Sequence, residues 1–138
     1  MKYLTIEELT RSATATHLKI DNTPSEEAVK SLHHLVDNVL DPLREMWHAT
    51  IIVTSGYRCE ALNTAVHGAP YSYHRLGMAA DIRPERGRLD GLYDLIQHLF
   101  SEGLIGLTEC YINENKGYIH VAYDANGFNV SPFLKTTN

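Results

Sequence analysis

The chain has 138 residues, of which 43% are hydrophobic and 21% are charged, and its formal net charge is −5 at pH 7. This size and composition predict one soluble globular domain over residues 1–138, with a core that removes roughly two-thirds of the unfolded surface from water. The negative charge argues against nucleic acid as a partner, and no apolar run approaches the ~20 residues of a membrane span.

The N-terminal segment leads directly into a helix. Thr5 followed by Glu8 has the spacing of a capping box, and this short helix is expected to end near Ser12. No apolar signal segment precedes it, so the chain as given is expected to be made in the cytoplasm and to stay there. Action on a cell wall would then require release by a phage lysis system or another export route.

A long amphipathic helix is predicted next, capped by Thr23 or Ser25. Its apolar residues recur at intervals of three and four: Ala28, Leu32, Leu35, Val36, Val39, Leu40 and Leu43. Pro42 is expected to kink this helix or to start a new turn. The stripe predicts packing against a sheet.

The middle of the chain is predicted to alternate between strands and short helices. Residues 50–54 are predicted to form a buried strand, after which Tyr57 and Arg58 face outward. Residues 59–66 are predicted to form a short helix, and 67–70 a turn. Cys59 and Cys110 make no CxxC pattern, which predicts two reduced thiols.

The C-terminal half supplies the rest of the sheet. A second strand is predicted over 78–82, and an amphipathic helix follows whose apolar residues are Leu89, Leu92, Leu95, Ile96, Leu99 and Phe100. Residues 107–113 and 118–123 predict a hairpin in which Gly117 takes a positive φ. The tail from Asp124 to Asn138 has no strong periodicity. Helices followed by a small antiparallel sheet predict an α+β domain.

Three side chains in this frame have the chemistry of a metal site. Asp81 is flanked by alanines and an isoleucine, so it is expected to be carried into the interior, where a carboxylate is costly unless paired or metal-bound. His74 lies seven residues earlier, across a glycine turn. His120 lies in a predicted strand that alternates between faces, with Ile119 and Val121 on the opposite face. Two imidazoles and one carboxylate suit zinc and leave a fourth position for water; a metal-free hydrogen-bonded core pair is the alternative.

These residues lie in segments that resemble peptidase family M15, the zinc D-alanyl-D-alanine carboxypeptidases and L-alanyl-D-glutamate endopeptidases, and in particular its short phage- and Bacteroides-like members. The likeness rests on four segments: Thr54-Ser55-Gly56-Tyr57-Arg58, Leu62-Asn63 with Val66, Ser72-x-His74-x-x-Gly77-x-Ala79-Ala80-Asp81-Ile82, and Ile119-His120-Val121. It extends from about Thr5 to Tyr123.

The resemblance implies a hedgehog/DD-peptidase-like fold, in which a small antiparallel sheet carries zinc and helices pack on its other face. It implies His74, Asp81 and His120 as metal ligands, and hydrolysis of peptide bonds in peptidoglycan stem peptides by a zinc-activated water. Arg58 is the expected electrophilic partner because its guanidinium can fork onto a carboxylate or an oxyanion. Ser72 is expected either to bind a substrate carboxylate or to cap the turn. A monomer is expected.

The chain departs from the family pattern just before His120. Many members carry the catalytic acid/base three residues upstream of the last zinc histidine, or a second histidine two upstream; here those places hold Gly117 and Tyr118. Glu114, with Glu109 as the second candidate, is expected to take the acid/base role. The alternative function is a zinc-containing module that binds wall peptides without cleaving them.

Overall fold

The computed structural model of the chain describes residues 1–127 and 129–135. Four strands in this part of the chain form one antiparallel sheet: β1 (Ile51–Ser55), β2 (Ala79–Pro84), β3 (Glu109–Asn113) and β4 (Tyr118–Ala122). Their order across the sheet is β1-β2-β4-β3. The predicted α+β class and the predicted hairpin are confirmed.

Helical segments precede and separate these strands along the chain. The described α-helices are α1 (Ile6–Thr10), α2 (Ala13–Leu18), α3 (Glu26–Leu35), α4 (Asp41–Trp47), α5 (Glu60–Ala65) and α6 (Leu89–Ser101). A π-helical turn (Val36–Leu40) joins α3 to α4, and a 3₁₀ helix (Tyr73–Leu76) precedes β2. No described helix combines the length and the apolar character that crossing a membrane requires.

Alternation along the strands separates a core face from a polar face. Ala80 and Ile82 of β2, and Ile119 and Val121 of β4, are fully buried in one hydrophobic cluster with side chains of α3, α4 and α6. The intervening residues of the same strands therefore face away from these helices. The predicted arrangement, with helices on one face of the sheet and the polar site on the other, is confirmed.

The helix starts follow the capping pattern. The Thr5 hydroxyl accepts a hydrogen bond from the Glu8 amide at 3.1 Å, as predicted for α1. Of the two candidates for α3, Ser25 is the cap, since its hydroxyl accepts from the Ala28 amide. Helix α2, which is capped by Ser12, was not among the predicted elements.

Pro42 starts a new helical segment rather than ending the long helix. Its missing N–H leaves the carbonyl of Asn38, four residues earlier, without its usual helical donor. The Gly106 amide donates to that carbonyl instead, at 3.2 Å. The π-helical turn joins α3 to α4, and the buried apolar residues continue on both sides of Pro42, with Val39 and Leu40 before it and Leu43 after it.

The two sheet edges differ from expectation. Strand β1 lies at an edge and is half-buried, so the prediction of a buried strand at 50–54 was wrong. On the other edge, the tail runs along β3: the Cys110 amide donates to Pro132, and the Leu134 amide donates to Cys110, both at 2.8 Å. The last three residues of the tail lie outside the described residues. Both cysteines are free thiols.

Gly77, which ends the 3₁₀ helix, is required by both conformation and space. Its φ is +73°, and a Cβ there would lie 2.5 Å from the Ala28 carbonyl oxygen in α3. Gly103 has the same φ of +73° but nothing within 4 Å of its Cβ position. Substitutions at Gly77 and Gly103 therefore share the cost of a left-handed conformation, and only the substitution at Gly77 adds the cost of a clash with Ala28.

We expect Gly103→Ala to lower the free energy of unfolding by about 1 kcal/mol, the cost of a left-handed alanine. Gly77→Ala should cost about 2 kcal/mol more, because the helix and the turn must also separate. Urea unfolding of the two variants measures the difference. Equal losses would show that the approach of Gly77 to Ala28 contributes nothing.

Candidate metal centre

His74 is placed by the 3₁₀ helix that the sequence analysis described only as a turn. The Ser72 hydroxyl caps this helix by accepting a hydrogen bond from the His74 amide at 3.2 Å. The chain then reverses at Gly77 and enters β2. The reversal brings His74 back to Asp81, with 3.3 Å between His74 Nε2 and Asp81 Oδ1.

The His74 ring is oriented by a backbone carbonyl. Its Nδ1 donates to the carbonyl oxygen of Gly56 at 2.7 Å, which in the neutral imidazole leaves the Nε2 lone pair facing Asp81. Gly56 packs directly on α1, because a Cβ there would lie 2.1 Å from the Leu9 carbonyl oxygen. The same oxygen accepts a hydrogen bond from the Tyr57 amide at 2.7 Å. The glycine of the Ser55-Gly56-Tyr57 segment thus lets a backbone oxygen reach His74.

Asp81 and His120 face each other across neighbouring strands. They are paired residues of β2 and β4, and the distance between Asp81 Oδ1 and His120 Nδ1 is 2.9 Å. Ser55 of β1 pairs with Asp81, and Tyr111 of β3 pairs with His120, so one row of side chains crosses the sheet. The Tyr111 ring stacks on the His120 ring with 4.8 Å between centroids.

These buried groups stabilise one another's charged forms. Burial alone would raise the pKa of Asp81, but the hydrogen bond from His120 and the neighbouring His74 ring outweigh it and hold that pKa below its usual range. Burial alone would lower the pKa of His120, but its hydrogen bonds to Asp81 and Glu109 raise it to about 9. Without a cation, His120 is therefore the proton-bearing partner between two carboxylates.

The donor set fits a metal ion. His74, Asp81 and His120 are all buried, and each offers one ligand atom within 4.8 Å of the others. Two imidazole nitrogens and one carboxylate oxygen are ligands that zinc accepts. Metal-binding histidines commonly donate a hydrogen bond from the ring nitrogen that does not bind the metal, as His74 Nδ1 does to the Gly56 carbonyl. A cation bound between His120 Nδ1 and Asp81 would replace the proton on that nitrogen, while the opposite ring nitrogen, Nε2, would still donate to Glu109.

Arg58 lies beside this cluster and is held from several directions. Its Nε donates to the Ser55 hydroxyl at 3.3 Å, and one terminal nitrogen donates to Asn63 Oδ1 at 3.2 Å. The other terminal nitrogen lies 3.8 Å from Asp81 Oδ2. Asn63 is itself buried and donates to the Ala69 carbonyl at 2.8 Å. The guanidinium therefore points at the candidate site, and its expected role as the electrophilic partner stays a prediction.

The structure separates the two candidate acids. Glu109 Oε1 lies 2.6 Å from His120 Nε2, and Glu109 lines the same cleft as the three candidate ligands. Glu114 lies in the exposed turn of the hairpin and is not part of the cleft lining. Strand geometry explains the difference, because Glu109, Tyr111 and Asn113 share the site face of β3 whereas Glu114 follows the end of the strand.

The cleft above the cluster has a volume of about 470 Å³. One wall is the segment 66–69 with residues 71–74, and the other is formed by Tyr111, Lys116 and Tyr118 of the hairpin. Tyr71, Tyr73 and Tyr118 line the cleft. Tyr57 does not: it is buried in the core, so its predicted outward orientation was wrong.

Sequence patterns did not single out Tyr111, Lys116 or the role of Asn63 as parts of the site. Tyr111 lies two positions from Glu109 on the predicted strand. Because side chains alternate between the two faces of a strand, this spacing alone places Tyr111 on the same face as Glu109. Lys116 gave no signal beyond its place in a turn. Asn63 belonged to a quoted segment, but its contact with Arg58 depends on how α5 meets the following loop.

Comparison with known proteins gives one finding on family. A family model described as Peptidase M15 matches residues 2–122, which is most of the chain. The match includes all three candidate ligands, Arg58 and Glu109. No protein with a curated description matches the chain.

The raised pKa of His120 makes stability depend on pH when no cation is bound. The folded value of about 9 lies above the unfolded value of about 6.5, so folding favours the protonated ring. The contribution, on the order of 3 kcal/mol, is complete below pH 6.5 and is lost as the pH rises through 9.

Urea unfolding with a chelator present should show this fall. His120→Gln, which does not titrate, should flatten the curve between pH 6.5 and 9; an unchanged slope would contradict the assignment.

Proposed function

Because the chain belongs to peptidase family M15, we propose that it is a zinc-dependent peptidase that hydrolyses peptide bonds in peptidoglycan stem peptides. The observation that carries this proposal is the convergence of His74, Asp81 and His120 at the base of an open cleft. The family supports peptide hydrolysis, and the donor set supports the metal.

His74, Asp81 and His120 would hold the zinc ion. A zinc ion bound there supplies a Lewis acid for the scissile carbonyl and for the attacking water. The surrounding residues prepare the ligands. Gly56 fixes the tautomer of His74, while the stacked Tyr111 ring and the carboxylate of Glu109 fix the plane of His120. Such outer contacts commonly change metal affinity by about 10- to 100-fold.

Glu109 is the best-placed residue to carry the proton. General acid–base catalysis needs a titratable group in the cleft, and among the described residues that line it Glu109 is the carboxylate that is not a candidate ligand. It contacts His120 from the neighbouring strand, whereas many family members place this group on the strand of the last histidine. Glu109 therefore replaces Glu114 as our first candidate.

Arg58 and Ser72 complete the proposed machinery. The Arg58 guanidinium is always charged and is oriented by Ser55 and Asn63, so it can stabilise negative charge that develops on the substrate without rearranging. The Ser72 hydroxyl already accepts a hydrogen bond from His74, and its proton remains available to donate into the cleft. Both roles of Ser72 considered from sequence are therefore compatible.

A wall-peptide binding module remains the second candidate. It is favoured by Gly117 and Tyr118, which provide no proton carrier at the positions where many family members have one. The two functions differ in one observable, the release of a shortened peptide.

We expect zinc-loaded protein to release shortened stem peptides from purified sacculi, detected by mass spectrometry. A chelator should abolish release and added zinc should restore it. Asp81→Asn keeps the shape of the side chain but removes its charge, so it should lose both zinc and cleavage. Binding of stem peptides without cleavage would favour the binding module, and neither binding nor cleavage would overturn the proposed function.

Glu109→Gln tests the proton carrier, because the amide can still accept a hydrogen bond from His120 but cannot transport a proton. We expect kcat to fall by about 10²- to 10⁴-fold with an unchanged zinc content. Glu114→Gln, five residues away on the same hairpin, is the matched control and should retain wild-type kcat. Loss of zinc from Glu109→Gln would instead make Glu109 a positioning residue, and full activity would exclude it from catalysis.

A further inference from the structure

Arg58 and Lys116 both line the cleft, but their surroundings differ. Arg58 is half-buried and already contacts Ser55, Asn63 and Asp81. Lys116 also lines the cleft but is exposed, and within residues 1–127 and 129–135 its ammonium group forms no ion pair with a carboxylate. Lys116 is therefore the cleft cation whose charge is not engaged by the protein.

The backbone at Lys116 is held in place from below. Its amide donates to Oδ1 of the buried Asn113 at 3.0 Å, and the Gly117 amide donates to the Asn113 carbonyl at 2.8 Å. Gly117 has the predicted positive φ, at +76°. These hydrogen bonds fix the backbone of Lys116, so that only its flexible side chain must become ordered when a ligand binds.

The strand register places Lys116 on the opposite side of His120 from Glu109. Tyr111 is the residue of β3 that pairs with His120; Glu109 precedes it by two positions, while Asn113 and the turn follow it. A peptide lying over the candidate metal site would therefore meet a carboxylate at one end of the hairpin and an ammonium group at the other.

We propose that Lys116 binds a carboxylate of the peptide substrate and so determines which stem peptides the cleft accepts. The chain as a whole is acidic, with a net charge of −5, so a free cation in the cleft gives a local attraction for anionic ligands. The inference rests on the proposed function, since it takes the substrate to be a wall peptide. Such peptides offer two kinds of carboxylate, the C-terminal group and the free carboxylate of the glutamate residue.

The experiment compares three synthetic stem pentapeptides that end in D-Ala-D-Ala: the unmodified peptide, its C-terminal amide, and the variant in which the glutamate carboxylate is amidated. For wild type, we expect amidation of the recognised carboxylate to lower kcat/KM by about tenfold, mainly through KM. In Lys116→Ala this discrimination should disappear, and in Lys116→Arg it should remain. The position of the effective amide identifies which carboxylate is bound.

Lys30→Ala is the matched control. Lys30 is an exposed lysine in α3, outside this cleft, so the substitution removes the same charge without touching the site. It should leave the discrimination unchanged. Raising the salt concentration should weaken the wild-type preference, because the pair is exposed to solvent.

Calorimetric binding of the same three peptides to zinc-loaded Glu109→Gln, with and without Lys116→Ala, separates the two proposals. If wild type cleaves the peptides and Lys116→Ala keeps the full discrimination, Lys116 has no part in recognition, although the proposed function stands. If wild type cleaves none of them, the proposed function fails, and binding decides the role of Lys116. Equal affinity of all three peptides, in both backgrounds, would overturn the inference.

Discussion

The carboxylate of Asp81 is the constraint on which the rest of the site depends. It is buried between two imidazoles and near a guanidinium, and a carboxylate in that position is costly unless its neighbours offset the lost hydration. Asp81 lies on β2, an inner strand, where the alternate residues Ala80 and Ile82 belong to the core. The strand cannot slip by one residue without exposing those side chains and burying the charge among the helices. The hydrophobic core thus fixes the register that places the aspartate opposite His120.

The helical layer contributes to the site through close backbone contacts. Gly56 packs against the carbonyl of Leu9, and Gly77 packs against the carbonyl of Ala28. These glycines flank the histidine segment in space: one supplies the oxygen that orients the His74 ring, and the other ends the short helix that carries it. A side chain at either position would push α1 or α3 away and move His74. The packing of α1 and α3 therefore determines the orientation of His74, although none of the three candidate ligands lies on α1 or α3.

Sequence patterns predicted the parts of this arrangement that depend on local chemistry. The helix cap at Thr5, the hairpin around Gly117 and the face of β4 that carries His120 follow from spacing alone, and the structure confirms them. Features set by tertiary contacts were not predictable in this way. Tyr57 was expected to face outward because it follows a strand, but its side chain packs into the hydrophobic core. Within the π-helical turn before Pro42, the carbonyl of Asn38 accepts a hydrogen bond from the Gly106 amide, which lies more than sixty residues further along the chain.

The choice between Glu109 and Glu114 shows why position in the sequence is a poor guide to position in the site. A search for an acid near His120 along the chain favours Glu114, which is six residues away, over Glu109, which is eleven residues away. In an antiparallel hairpin, however, residues far apart in sequence become diagonal neighbours, and their side chains meet when both point to the same face. Glu109 meets both conditions, whereas Glu114 lies in the turn. A protein can therefore move a carboxylate from one strand of a hairpin to the other and still deliver it to the same histidine. The absence of an acid at Gly117 is for this reason weak evidence against catalysis.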